Sequence, residues 1–206
     1  MGTGKIFFTS DHHFGHRRIC EYANRPFKST IEMDREMFRL WNETVGPDDL
    51  VYHLGDFAFA SHTMILSLLQ SLNGRKILVK GNHDRRCKGL AGPGMFEAVH
   101  EQLTTIEMGG RKVMLCHYPY LPSSEELEWA KANNYTMRYL ERRPRDRGMV
   151  LLCGHIHNRW ATKGRRMVNV GVDAHRGMPV SEAQVLAIID GLTDDTVPVP
   201  PWDSAL

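Results

Sequence analysis

The chain has 206 residues, 42% hydrophobic and 24% charged, enough for one domain with a sizeable core and unlike a disordered or fibrous composition. With 26 basic against 24 acidic residues the net charge is +2, so no global positive field marks the protein for nucleic acid or anionic membranes, although a local basic surface is compatible with these numbers. There is no apolar secretory core at the start, no apolar run long enough to span a bilayer, and no CxxC spacing among Cys20, Cys87, Cys116 and Cys153, which together point to a cytoplasmic, unanchored protein with reduced thiols.

Residues 5–9 begin a series of short runs rich in Val, Ile, Leu and Phe that read as strands buried in a sheet. An amphipathic helix is predicted over 29–45, where Ser29 and Glu32 form a capping-box pattern and Ile31, Phe38, Trp41 and Val45 an apolar stripe. A strand over 50–54 follows, then a helix over 61–72 with Ile65, Leu68, Leu69 and Leu72 on one face and Asn73-Gly74 as its stop, then a strand over 76–80. This alternation argues βαβ crossovers. Later strands are predicted over 112–116, after a Gly109-Gly110 hairpin turn, and over 150–153, 167–170 and 185–189. Residues 123–147 depart from the pattern, being helical, polar and rich in arginine (Arg138, Arg142, Arg143, Arg145, Arg147) with Trp129, Tyr135 and Tyr139 interspersed. They read as an insertion, either a solvated connection or a lid or phosphate-backbone surface. One α/β domain with mixed sheets is expected over 1–191, and 192–206 as a polar, proline-containing tail.

Five polar clusters each sit just after an apolar strand: Asp11-His12-His13, Gly55-Asp56, Gly81-Asn82-His83-Asp84, His117, and Gly154-His155-Ile156-His157. In α/β sheets the carboxyl ends of strands converge on a crevice, so these groups are expected to face one site. Carboxylate, imidazole and amide oxygen without thiolate suit divalent Mn, Fe, Zn or Ni. So many ligands exceed the needs of one ion, and Asp56 is the natural bridge between two ions about 3.5–4 Å apart. Gly55 and Gly81 would let backbone turn tightly or approach the site closely.

The ordered motifs DxH, GD, GNH followed by an acid, a lone His and GHxH resemble those of the calcineurin-like metallophosphoesterases over residues 10–157, and 169–173 look like a closing segment of small bacterial and phage members. The resemblance implies a four-layer α/β/β/α sandwich of two mixed β-sheets flanked by helices. It implies two divalent ions, manganese first with Fe, Zn or Ni as alternatives, one held by Asp11, His13, Asp56 and His157 and the other by Asp56, Asn82, His117 and His155. It also places His83 near the leaving-group oxygen as proton donor, with Asp84 orienting or charge-stabilising it.

The reaction so implied is hydrolysis of a phosphomonoester or phosphodiester, a nucleotide among the candidates, by in-line attack of a hydroxide held between two metals. His16, Arg17, Arg25 and Arg85 are candidates for gripping substrate phosphate, each with an ordinary loop or surface role as the alternative. His53 reads as a core or supporting histidine and His12 as pointing away from the metals, while Asp173 and His175 are assigned to turn chemistry outside the site. A nuclease acting on DNA or RNA through the arginine-rich insertion is the alternative enzyme. A catalytically silent interaction scaffold is the alternative of another class, against which the complete motif set argues.

Overall fold

The computed structural model describes residues 4–134 and 136–202. In chain order the elements are β1 (Ile6–Thr9), α1 (Ile19–Tyr22), α2 (Thr30–Thr44), β2 (Leu50–His53), α3 (His62–Ser71), β3 (Arg75–Val79), β4 (Phe96–His100), β5 (Leu103–Met108), β6 (Arg111–Cys116), α4 (Ser124–Ala132), β7 (Val150–Cys153), β8 (Thr162–Lys163), β9 (Met167–Asn169), β10 (Val180–Ser181), α5 (Glu182–Asp190) and β11 (Thr196–Val197). They build two mixed sheets, in the orders β10-β1-β2-β3-β4 and β11-β8-β9-β7-β6-β5. In the first, β1 to β4 are parallel and β10 is antiparallel to β1. In the second, β6, β7 and β9 are parallel and the outer strands antiparallel.

Alternation along the strands sorts side chains into layers. Phe8, Val79, Val113, Leu115, Leu152 and Val168 meet between the sheets. Phe7, Val51 and Leu78 face the other way, onto Met33, Met37 and Trp41 of α2 and Ile65 and Leu69 of α3. On the outer face of the second sheet, Met114, Cys116, Leu151 and Cys153 lie under Tyr118, Tyr120 and Tyr139. Strands apolar on both faces are what a sheet covered on both sides requires, and here they give the α/β/β/α sandwich with flanking helices. No described helix is long and apolar enough to cross a membrane.

Several expectations need correcting. Residues 185–189 are not a strand but the centre of α5, started by a Ser181–Gln184 capping box, with Val185 and Ile189 closing the inter-sheet core. A short apolar run has no period that separates buried strand from buried helix. On α2 the buried stripe is Met33, Met37 and Trp41, whereas Ile31 is 82% exposed. Of the 123–147 segment only α4 and a 3-10 turn at Leu140–Arg142 are helical, and Tyr135 lies outside the described residues. Within the described part of the tail, β11 pairs with β8, and Trp202 packs edge-on against Phe27 with ring centroids 5.7 Å apart. Strands β4 and β5 received no range from the sequence, because each is a sheet edge interrupted by exposed polar residues such as Glu97, Thr105 and Glu107, although the Gly109-Gly110 turn does join β5 to β6.

Candidate metal centre

Strands β1, β2 and β3 of one sheet and β6 and β7 of the other end at the same side of the sandwich, and each hands the chain to one polar cluster. Asp11, His13, Asp56, His155 and His157 all have left-handed backbones, with φ of 59°, 54°, 56°, 71° and 48°. Asp, Asn and His tolerate this region better than other side chains, yet each such residue still costs about 1–3 kcal/mol. The turns are locked by backbone bonds, Asp11 N to Gly55 O (2.9 Å), His13 N to Asp56 O (3.1 Å) and Gly154 N to His117 O (3.0 Å). They also send alternate residues of the first cluster in opposite directions. His13 reaches the crevice, while His12 is buried between Phe14, Trp41 and His53.

Asp56 lies at the centre of the crevice. Its Oδ2 is 3.5 Å from Nε2 of both His13 and His117 and 3.9 Å from Nε2 of His83. The donor atoms of Asp11, His13 and His157 lie within 4.8 Å of one another, as do those of Asp11, Asp56 and His117. Asp11 therefore joins both groups. Asn82 and His155 line the same cleft, and the His155 ring stands edge-on to His117 at 5.1 Å. Four buried atoms aimed into this space, Asp11 Oδ1, His13 Nε2, Asn82 Oδ1 and His117 Nε2, have no hydrogen-bond partner among the described residues. Buried polar atoms are rarely left so, and an oxygen-and-imidazole set converging on one point fits divalent cations. Burial pushes the Asp56 carboxyl up to about 7, His117 opposing and Asp11 and Asp84 adding to the rise. A carboxylate in that position is stabilised by an adjacent cation. Burial and neighbouring positive groups hold His155 down to about 2, Arg143 and Arg159 among them, so its imidazole is neutral and able to ligate.

The surroundings fix how these groups point. His117 Nδ1 donates to Leu54 O at 2.7 Å, which turns the Nε2 lone pair to the crevice. His157 Nδ1 bonds Asp173 Oδ2 at 2.8 Å, and Asp173 is gripped by Arg25 through Nε (2.8 Å) and Nη2 (3.0 Å). The same guanidinium donates to Asp11 O (2.6 Å) and His12 O (2.9 Å), so one buried cation braces both sheets. Asp84 makes no hydrogen bond to His83 and acts on it through its charge alone, which favours the protonated ring. Its carboxylate accepts from the backbone N–H groups of Asp56 (2.7 Å), Phe57 (2.9 Å) and Gly81 (2.7 Å) and shapes the loop instead. A Cβ at Gly81 would run into the Asp56 carboxylate, and one at Gly55 would lie 2.8 Å from His117 Nδ1.

A family model described as a calcineurin-like phosphoesterase superfamily domain matches residues 5–190. The chain belongs to that superfamily. It is similar to an uncharacterized protein of Methanocaldococcus jannaschii, 29% identical with 92% of this chain and 94% of the relative covered, and to the Gene 66 protein of Mycobacterium phage L5, 29% identical with 92% and 96% covered. A crystal structure of a protein of unknown function from Aquifex aeolicus superposes with a TM-score of 0.64 at 27% identity, over 90% of this chain and all of that one. Family and acid-histidine clusters together make the protein a metal-dependent phosphoesterase.

Around the metal centre of this phosphoesterase the cleft encloses about 630 Å³. His16 and His83 line it, and both rest on Phe59, with ring centroids 4.5 and 4.6 Å away. Arg17 and Arg85 are exposed and outside the lining. Arg25 is no substrate group at all, its side chain being fully buried against Asp173. The cleft's cations are instead Arg138, Arg143, Arg159 and Lys163. Asp173 was the functional neighbour missed by spacing alone. The signal for it was the closing 169–173 segment; for Arg138 and Arg143 it was the arginine-rich stretch, and for Arg159 its place just past GHxH.

Proposed function

We propose that this phosphoesterase hydrolyses a phosphomonoester or phosphodiester of nucleotide size at a centre of two divalent cations, manganese preferred. The observation that supports it best is the set of four orphaned buried atoms around Asp56. Asp11, His13 and His157 would hold one cation, and Asn82, His117 and His155 the other, with Asp56 between them. Cations there would lower the pKa of water from about 15.7 toward about 7 and neutralise charge on the phosphoryl oxygens. His83 sits at the rim, with its side chain 36% exposed and its backbone N–H bonded to Asp56 Oδ1 at 2.9 Å. From that position Nε2 would pass a proton to the departing oxygen, while Phe59 keeps the ring upright.

The test is metal analysis followed by hydrolysis of bis(p-nitrophenyl) phosphate by Mn-reconstituted protein. The rate should require metal and fall at least about 100-fold in Asp56→Asn, whose amide bridges poorly. A rate indifferent to metal, or undiminished in Asp56→Asn with metals still bound, refutes the assignment. An interaction scaffold would show no metal-dependent rate.

A further inference from the structure

Two large aromatic side chains beside the metal centre are left open to solvent. Phe59 is 43% exposed and Tyr22 59%, whereas Phe57, two residues before Phe59, is wholly buried. Both pack on His16, which lines the cleft: the Phe59 ring centroid lies 4.5 Å from that of His16, at 84°, and the Tyr22 centroid 6.2 Å from it. Phe59 also reaches His83, at 4.6 Å, and His13, at 6.3 Å. Tyr22 lines the cleft directly. An aromatic rim therefore runs, ring against ring, from His83 through Phe59 and His16 to Tyr22.

The rim is held by the bonds that shape the metal centre. Phe59 N donates to Phe14 O at 2.7 Å, the next step in a run where His13 N bonds Asp56 O and Phe14 N bonds Phe57 O, both at 3.1 Å. His16 N bonds His13 O at 3.0 Å, and Gly15, at φ 79°, approaches so closely that a Cβ there would lie 3.0 Å from Phe59 O. Arg18 N donates to His16 Nδ1 at 3.3 Å and fixes that ring, while the Arg18 guanidinium lies over the Tyr22 ring at 4.7 Å. Tyr22 ends α1, which Ile19 anchors in the core. Rings ordered in advance lose little freedom when a flat ligand covers them, and aromatic surface beside a few polar groups suits such a ligand.

The rim also has a direction. Phe59 touches His83, on the side of the crevice where the departing oxygen takes its proton, so a ring lying on Phe59 belongs to the leaving alcohol. We propose that Phe59 and Tyr22 form a subsite for a flat ring carried by the leaving alcohol, which is a nucleoside. Every nucleobase has a π-face to stack on such side chains, and a cleft of about 630 Å³ has room for one. This rests on the reading of the metal centre above, with His83 as proton donor.

The test uses two matched pairs on the Mn-loaded full chain: adenosine 5′-phosphate with methyl ribofuranoside 5-phosphate, and the methyl diester of each. Within a pair the ribose 5-oxygen is the same and only the base differs. In whichever pair is hydrolysed, the base should raise kcat/KM about tenfold or more, mainly through KM. Any turnover of the adenosine diester should release adenosine and methyl phosphate. Phe59→Leu and Tyr22→Leu should each shrink the ratio at least about threefold, and the double variant should bring it near 1. A slackened His83 or a loss of folded protein slows both members of a pair, so the ratio reports the subsite alone. A wild-type ratio near 1, a ratio unchanged in either variant, or release of methanol and adenosine 5′-phosphate overturns the subsite. If nitrophenyl phosphate esters are hydrolysed while both pairs are inert, only the subsite falls. If no ester is hydrolysed, the reading of the metal centre falls and the subsite with it.

Discussion

Asp173→Asn perturbs the brace behind the metal centre while leaving its shape nearly unchanged. Both side chains of the Arg25–Asp173 pair are 0% exposed. The guanidinium spends two donors on this carboxylate and two on the carbonyls of Asp11 and His12. An amide removes the counter-charge and leaves the guanidinium uncompensated in the interior, a loss of about 3–5 kcal/mol. For a domain of this size each kcal/mol moves Tm by about 2–4 °C, so a fall of about 6–20 °C is expected. The second effect is on His157, whose Nδ1 loses its carboxylate acceptor. Loss of such a supporting group weakens metal binding about 10- to 100-fold. Thermal melts of the metal-free protein and manganese isotherms read the two effects separately. Arg25→Met combined with Asp173→Leu should recover part of the stability, because no buried charge remains, but none of the metal affinity, because His157 still lacks its acceptor. A fall in Tm below about 2 °C with unchanged manganese affinity in Asp173→Asn would refute the reasoning.

His83→Ala should slow hydrolysis of alkyl esters by about 10²- to 10⁴-fold and of nitrophenyl esters far less, since nitrophenolate leaves without a proton; equal losses on both would remove His83 from that role. Gly81→Ala drives a methyl group into the Asp56 carboxylate and to 2.8 Å from Asp56 N, so manganese affinity should drop at least about tenfold, and an isotherm matching wild type would show that the loop yields freely. Burial pushes the Tyr120 phenol up to about 12, above the value near 10 of an unfolded chain. The folded protein then keeps a proton that the unfolded chain gives up, so this contribution is present below about pH 10 and is lost as pH rises from about 10 to about 12. Wild-type Tm should therefore fall more than that of Tyr120→Phe over this range, and parallel declines would exclude Tyr120 as the cause.

What the sequence determined by itself was local. A run of apolar residues that stops at Asp, Gly-Asp, Gly-Asn-His or Gly-His-x-His announces a strand ending in a polar turn, and the carboxyl ends of parallel strands must gather on one side. The helix starts at Ser29 and Ser61 were likewise legible, because each serine accepts from a backbone N–H three residues on. Tertiary structure decided everything that depends on which face or which distant group a residue meets. The rotation of α2 over the first sheet chose Met33 over Ile31, and the open side of the sandwich took residues 185–189 as helix. By sequence Arg25 was a candidate for gripping phosphate or an ordinary surface arginine, yet it is joined to a carboxylate 148 residues away. Sequence spacing states which atoms are chemically available; only the closure of two sheets on each other decides which of them lose water together and must therefore pair.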